Sequence, residues 1–377
     1  MSLSLVFLRL GATAFGGLAI IEYFHRVAVK QKRWLDEDSF NYGVAVSQAI
    51  PGPPTAKVAA YIGLRTRGVI GAALVLTAYI LPTFLLMLIL SVLYEWESGS
   101  RVTAAVFSGL QVVIAAIIVD TIFSFGKSLT RTAREIAIAI VAAVLFALKL
   151  HPIAVIIIAA GLGILIYDRE PFKNLKPSEQ KTGYPFWTAI LTVLLPALSF
   201  ALLFFLDRKL FTLSAVMFRI GLFSFGGGFG AIPLMLHEVI QVHSWMDAKT
   251  LMNGIALGQI TPGPISITAT FIGYIVDKMP GAFLATISIF YPTLMLMVVA
   301  VPYFDKLTGS KHFNKAVGGV LCSFVGLFLW VAVSFGLNIK WDLGHILLGV
   351  AAFLAMRLKI EVIWVVLAGV VISVLIF

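Results

Sequence analysis

Ser47-Gln48-Ala49-Ile50-Pro51-Gly52-Pro53-Pro54-Thr55 and Gly258-Gln259-Ile260-Thr261-Pro262-Gly263-Pro264-Ile265-Ser266 are two copies of one phrase, each set inside a long apolar stretch. Pro-Gly-Pro cannot continue a helix: proline lacks the backbone donor and clashes with the preceding turn, and glycine adds conformational freedom. A helix broken at membrane depth leaves N–H and C=O groups that lipid cannot satisfy. Such breaks persist only inside protein or beside a water-filled cavity. Broken helices at corresponding places in two halves point to the substrate site of a secondary transporter.

Composition sets the class. The chain has 377 residues, 60% hydrophobic and 12% charged, about half the charged share of a soluble domain. Apolar elements run over 3–24, 40–64, 68–94, 102–125, 135–148, 152–167, 185–206, 211–236, 248–276, 280–304, 316–337, 342–356 and 360–377. Most are long enough to cross a bilayer, so the expected fold class is an all-α polytopic membrane protein. The net charge of +10 is the excess expected of cytoplasmic loops facing anionic lipid. No loop carries a long basic run, which argues against nucleic acid. The single cysteine, Cys322, excludes an internal disulfide and a cysteine metal cluster. Met1-Ser2-Leu3-Ser4 lacks a basic region and a cleavage site and reads as the lead into a retained first helix.

The halves repeat. Arg9, Gly11, Phe15-Gly16-Gly17, Gly63, Gly71, Pro82 and Thr83 match Arg219, Gly221, Phe225-Gly226-Gly227, Gly273, Gly281, Pro292 and Thr293 at an offset of 210. Trp34, Asp36, Gln48 and Pro51 match Trp245, Asp247, Gln259 and Pro262 at 211. Agreement this long signals duplication. The expected domains are an N-terminal repeat over 1–167, a polar linker over 168–184, a connecting apolar helix over 185–210 and a C-terminal repeat over 211–377.

Lys and Arg favour the cytoplasmic side. If every element crosses, they divide fifteen to ten. If each Pro-Gly-Pro element is a re-entrant hairpin and the halves are inverted, twenty fall inside and five outside. The second reading is preferred. It places Arg208–Lys209 and Lys306 inside, Lys249 and Lys278 outside, and requires 185–206, which contains Pro196, not to cross.

Phe15-Gly16-Gly17, Trp34-Leu35, Gln48-x-x-Pro51-Gly52-Pro53 and Tyr61-Ile62-Gly63 resemble the N-terminal signature of the chromate ion transporter family. Phe225-Gly226-Gly227-Gly228, Pro233-Leu234, Glu238, Trp245 and Leu257-Gly258-Gln259-x-Thr261-Pro262-Gly263-Pro264 resemble its C-terminal signature. The likeness covers almost the whole chain and is to the long, two-domain form. It implies a multi-pass transporter of the inner membrane that carries chromate, with sulfate as a further substrate and efflux giving chromate resistance. The chain departs from the family pattern at Ile21, where members often carry His. It departs again at Pro54 and Lys57, where they often carry Asn and Gln.

The substrate-binding candidates follow from the chemistry of an oxyanion. Half-helix N-termini at Gly52 and Gly263 present free N–H groups and partial positive charge. Gln48 and Gln259 donate through amides, and Thr55, Thr261 and Ser266 through hydroxyls. Lys57, charged and set among Ala and Val, is a counter-charge for a dianion or a snorkelling side chain. Gly16, Gly17, Gly226 and Gly227 admit close backbone approach, or serve helix packing. Glu22, Asp120 and Glu238 are the acids nearest apolar segments and the candidates for proton coupling. His237-Glu238 with His243 does not have the His-Glu-x-x-His spacing, so neither a metal nor a cofactor is expected. No convergent catalytic set argues for an enzyme. An anion channel, or a carrier of the same fold for another oxyanion, is the alternative. The expected partners are the oxyanion and the bilayer, and a homodimer is compatible with the sequence.

Overall fold

The computed structural model describes residues 3–13, 19–96, 101–148, 150–167, 184–225, 230–339 and 341–376. Among them there is no strand. The chain forms two compact units, each drawing on both repeats: Met1–Ile89, Phe172–Ala231 and Thr261–Ser310 in the first, Leu90–Pro171, Ile232–Ile260 and Lys311–Phe377 in the second.

The first repeat opens with α1 (Leu3–Thr13) and α2 (Ala19–His25), which continues as a π-helix over Arg26–Gln31. The Phe7 and Phe24 rings are 5.4 Å apart. A straight helix would hold residues seventeen apart at about 25 Å, so α1 and α2 lie side by side. The apolar run 3–24 is therefore two short helices, which the sequence reading took as one.

Next come α3 (Glu37–Ala49), capped by Asp36 accepting from Ser39 N–H, and α4 (Pro54–Trp96). A methyl on Gly43 would stand 2.2 Å from the Tyr61 ring. α3 and the start of α4 thus run back along one another, and Pro51-Gly52-Pro53 is the tip of a helical hairpin. α4 itself reverses at Arg67 (φ −143, ψ 24) and Gly68 (φ 65, ψ −156), dividing into limbs 54–66 and 69–96. The limbs close on each other at Gly63 and Gly71, where a Cβ on Gly63 would meet the Gly71 carbonyl at 2.4 Å.

The second repeat reproduces these features one by one. It has α9 (Arg208–Phe223), α10 (Ala231–Met235) continuing as a π-helix over Leu236–Val242, and α11 (Ala248–Ile260). After the second Pro-Gly-Pro a 3-10 turn, Ile265–Ile267, leads into α12 (Thr268–Ala300). α12 reverses at Asp277 and Lys278, with Gly273 against the Gly281 carbonyl. Gly11 closes on the Tyr79 carbonyl and Gly221 on the Ile289 carbonyl. In the first unit, α8 (Phe186–Leu206) stays continuous through Pro196 and is about 31 Å long. It buries only Thr192 and exposes Leu198, Leu202 and Phe205, a surface suited to lipid. Lys209 Nζ pairs with the Asp277 carboxylate at 2.6 Å. This corrects the charge reading, which placed Lys209 and the neighbouring Lys278 on opposite faces.

The second unit packs α14 (Lys311–Asn338) against α5 (Arg101–Leu129), α6 (Ala133–Ala147) and α7 (Pro152–Ile166). Small residues let the backbones meet: Gly319 lies on Gly163, and Gly326 on the Ala139 carbonyl. α15 (Leu343–Arg357) and α16 (Val362–Ile376) cover α5, with Gly109 N–H donating to Ser373 Oγ at 3.1 Å. In the first unit, α12 runs through a 3-10 turn, Val301–Tyr303, into α13 (Phe304–Thr308).

Candidate functional site

Both Pro-Gly-Pro tips belong to the first unit and touch it in a crossed, reciprocal way. Gly52 has φ +109, and a methyl there would stand 3.1 Å from Thr293 Oγ1. Gly263 has φ +96, and a methyl there would stand 2.8 Å from Thr83 Oγ1. Thr83 and Thr293 are equivalent residues, so each repeat's tip rests on the other repeat's long helix. Positive φ and the close hydroxyl each call for glycine. Gly52 N–H also donates to the Ser224 carbonyl at 2.7 Å, where α9 ends. Thr83 is the fifteenth of the 28 residues in limb 69–96, so the Gly263 tip sits about 21 Å from either end, at half the helix height.

The tips are polar inside. Thr55, Thr261 and Ser266 are buried, as are Thr83 and Thr293. Among the described residues, the hydroxyls of Thr83, Thr293 and Ser266 meet no hydrogen-bond partner. Lys57 is 2% exposed, and its Nζ donates to the Ile50 carbonyl at 2.5 Å. The ammonium folds back over the C-terminus of α3, where helix carbonyls are left over, and a methyl on Gly52 would stand 3.7 Å from its stem. Among the described residues no carboxylate lies within ion-pair distance of it. The second repeat has Thr268 at the equivalent place, its hydroxyl donating to the Ile265 carbonyl, so the cation stands on one side only.

The other candidates are less concentrated. Gln48 is exposed, one residue round the helix from buried Ser47. Gln259 lies in the second unit, half-buried, with an unpartnered amide nitrogen. Gly16, Gly17, Gly226 and Gly227 lie outside the described residues. Glu22 is exposed, and Asp120 pairs with Arg357 at 3.6 Å. Glu238 is buried and faces His151 and His243, each 3.8 Å away. The second unit also holds a buried amide chain, in which Gln111 donates to Asn253 at 2.9 Å and Asn253 to Tyr94 at 3.2 Å. Sequence reasoning did not select Thr83, Thr293 or His151. For the threonines the signal was present, since Pro-Thr recurs at the repeat offset inside two long apolar elements.

The chromate transporter family model matches residues 1–164 and 211–374, the two repeats without the linker and α8. The chain belongs to the chromate transporter family. It is 39% identical to an uncharacterised transporter of Methanocaldococcus jannaschii, over 100% of this chain and 94% of that protein. It is 31% identical to a chromate transport protein of Cupriavidus metallidurans, over 86% of this chain and 79% of that protein. It is 29% identical to a probable chromate transport protein of Synechococcus elongatus, over 93% and 88%. No solved structure matches the chain. As a member of this transporter family, the chain is a multi-pass membrane protein whose five longest apolar elements are Pro54–Trp96, Ala105–Ser124, Phe186–Leu206, Ile265–Tyr303 and Lys311–Leu337.

Proposed function

We propose that the chain is a secondary carrier of chromate, with sulfate as a second oxyanion. It exports substrate across the inner membrane by alternating access around the Gly52 and Gly263 tips. The observation that carries this reading is Lys57, a buried cation at a helix break that meets no carboxylate among the described residues. A charge so placed is costly unless an anion joins it. Ser266, just after the second tip, and Thr83 and Thr293, on the helices against which the tips rest, supply neutral hydroxyl contacts of the kind an oxyanion accepts.

The repeats are inverted in this reading. In each half the first apolar element returns to the side it left, so 3–24 and 211–236 do not cross and α8 does. Arg208 and Lys209 move outside, in keeping with the Lys209–Asp277 pair, and the count becomes eighteen inside and seven outside. Contacts within the second unit are consistent with the same sides. Asp120 meets Arg357, and Cys322 meets the Leu129 carbonyl, on the inner side. Ser108 meets His345, and His151 meets His237, on the outer. Proteoliposomes loaded with radiolabelled sulfate test the reading, with chromate, molybdate and phosphate as competitors. A carrier saturates and shows counterflow. Flux without either identifies a channel, and flux insensitive to chromate removes the substrate assignment.

A further inference from the structure

Three of the six histidines in the chain, His151, His237 and His243, gather around one acid. Glu238 is 2% exposed; its Oε1 lies 3.8 Å from His151 Nε2 and its Oε2 3.8 Å from His243 Nδ1. The rings of His151 and His237 meet edge to face, with centroids 4.9 Å apart. One nitrogen each of His151 and His237 and one Glu238 oxygen all lie within 4.8 Å of one another. Those separations exceed a hydrogen bond. They come near the roughly 3.4 Å edge of a tetrahedron whose bonds are about 2.0–2.1 Å, the bond length of zinc to imidazole nitrogen and carboxylate oxygen.

The fold does not need this acid. Backbone bonds align the repeats here: Lys32 N–H to the Val27 carbonyl matches His243 N–H to the Glu238 carbonyl, and Trp34 N–H to Ala28 matches Trp245 N–H to Val239. Glu238 therefore stands where the first repeat buries Val27, and His237 where it has Arg26. The same π-helix forms with either set. An acid replacing a buried valine, met by a histidine from the start of α7, is chemistry added to the scaffold.

We infer that His151, His237 and Glu238 form a binding site for a divalent transition-metal ion of the zinc type, at the end of the second unit where α7 begins. His237 Nδ1 is bonded to the Gln241 side chain at 3.1 Å, which leaves Nε2 to ligate and fixes the ring. His243 Nδ1 is within 3.0 Å of the Glu238 carbonyl, so this ring braces the π-helix and its Nδ1 is not a ligand. His151 Nδ1 accepts from Ile153 N–H at a long 3.3 Å. On ligation through Nε2 the ring's own Nε2 proton shifts to Nδ1, which then no longer accepts, and the Ile153 N–H turns to water, as first-turn donors do. Two nitrogens and one oxygen leave a fourth position for water, and His151, with 42% of its side chain exposed, gives access.

The test uses the full chain in detergent, without an affinity tag, stripped of metal by a chelator and titrated with Zn2+ by calorimetry. Co2+ absorption serves as a second readout. The expected result is one equivalent of Zn2+ and the intense visible band of four-coordinate Co2+. His237→Ala and Glu238→Gln each weaken Zn2+ by tenfold or more, while His243→Ala changes it by less. Glu238→Val copies the first repeat, so it keeps its elution volume and helicity and loses the metal. Failure of the wild type to bind one equivalent overturns the site, as does binding unchanged in both His237→Ala and Glu238→Val. Neither outcome bears on oxyanion transport, which rests on the other unit.

Discussion

Lys57→Met separates a substrate group from a structural one, because the two roles give opposite signs. Methionine keeps the length of the stem that passes Gly52 and removes the charge. In the free protein the change gives up the Ile50 carbonyl bond, worth about 1.5–3 kcal/mol because its donor is charged. It also removes a buried ammonium that no carboxylate meets, a desolvation penalty of several kcal/mol. The second effect is larger, so the variant melts at or above the wild-type temperature. With substrate present the balance reverses. A hydrogen bond to a charged group is worth about 1.5–3 kcal/mol, so the half-saturating chromate concentration rises roughly ten- to a hundredfold. Two measurements decide: sulfate flux in proteoliposomes with chromate as competitor, and thermal unfolding with and without chromate. The wild type is stabilised by chromate, and the variant far less at equal concentration. If Lys57→Met melts lower and competes normally, Lys57 is a strut across the hairpin and the site assignment fails.

Gly263→Ala forces φ +96 on an L-residue, about 1–2 kcal/mol, and places its methyl 2.8 Å from Thr83 Oγ1. Transport should be lost, whereas Gly68→Ala, also at positive φ but with nothing within 4 Å, should keep it; flux assays of the two variants compare them. In a Cys322→Ala background, cysteines at Lys209 and Lys278 should label with an impermeant maleimide from one side of the membrane and a cysteine at Lys306 from the other. Labelling of Lys209 and Lys306 from the same side would return α8 to a non-crossing element. Hydrogen bonds from the Thr250 side chain and backbone hold the Asp247 carboxyl below its ordinary range. Its contribution to stability is therefore full above the unfolded-state pKa and fades as pH falls through the lower folded one. Melting curves of wild type and Asp247→Asn should differ at neutral pH and converge in acid.

What could be read from the sequence was chemistry carried by a break or an isolated charge. Pro51-Gly52-Pro53 and Lys57 stand out because each violates an apolar helix, and the structure puts them together. Direction was harder to read. Hydropathy gives the length of 3–24 but not that Phe7 returns to Phe24. A charge count tolerated the wrong side for Lys209, since two cations change the balance little. Partners from distant elements were out of reach. The His-Glu-His stretch was judged on spacing within one helix, and the remaining ligand, His151, comes from the start of another, 86 residues before His237. Gln48 shows the limit of motif reading: it is adjacent to the break in sequence, yet the helical period turns it away from buried Ser47.

The inverted arrangement proposed here rests on parity. A hairpin returns the chain to the side it left and adds nothing to the crossing count. With two hairpins discounted, the first repeat contributes the second limb of α4, then α5, α6 and α7. That is an even number, which would leave both repeats facing the same way if they were joined directly. One further crossing between them turns the second repeat over. α8 has the length and the exposed apolar surface for that crossing, and it lies outside both stretches matched by the family model, as a joining element should. Inversion in turn gives the crossed contacts of Gly52 with Thr293 and Gly263 with Thr83 a functional sense. In the proposed arrangement two hairpins entering from opposite faces would meet near half height, and each would open its own face while the other stays closed.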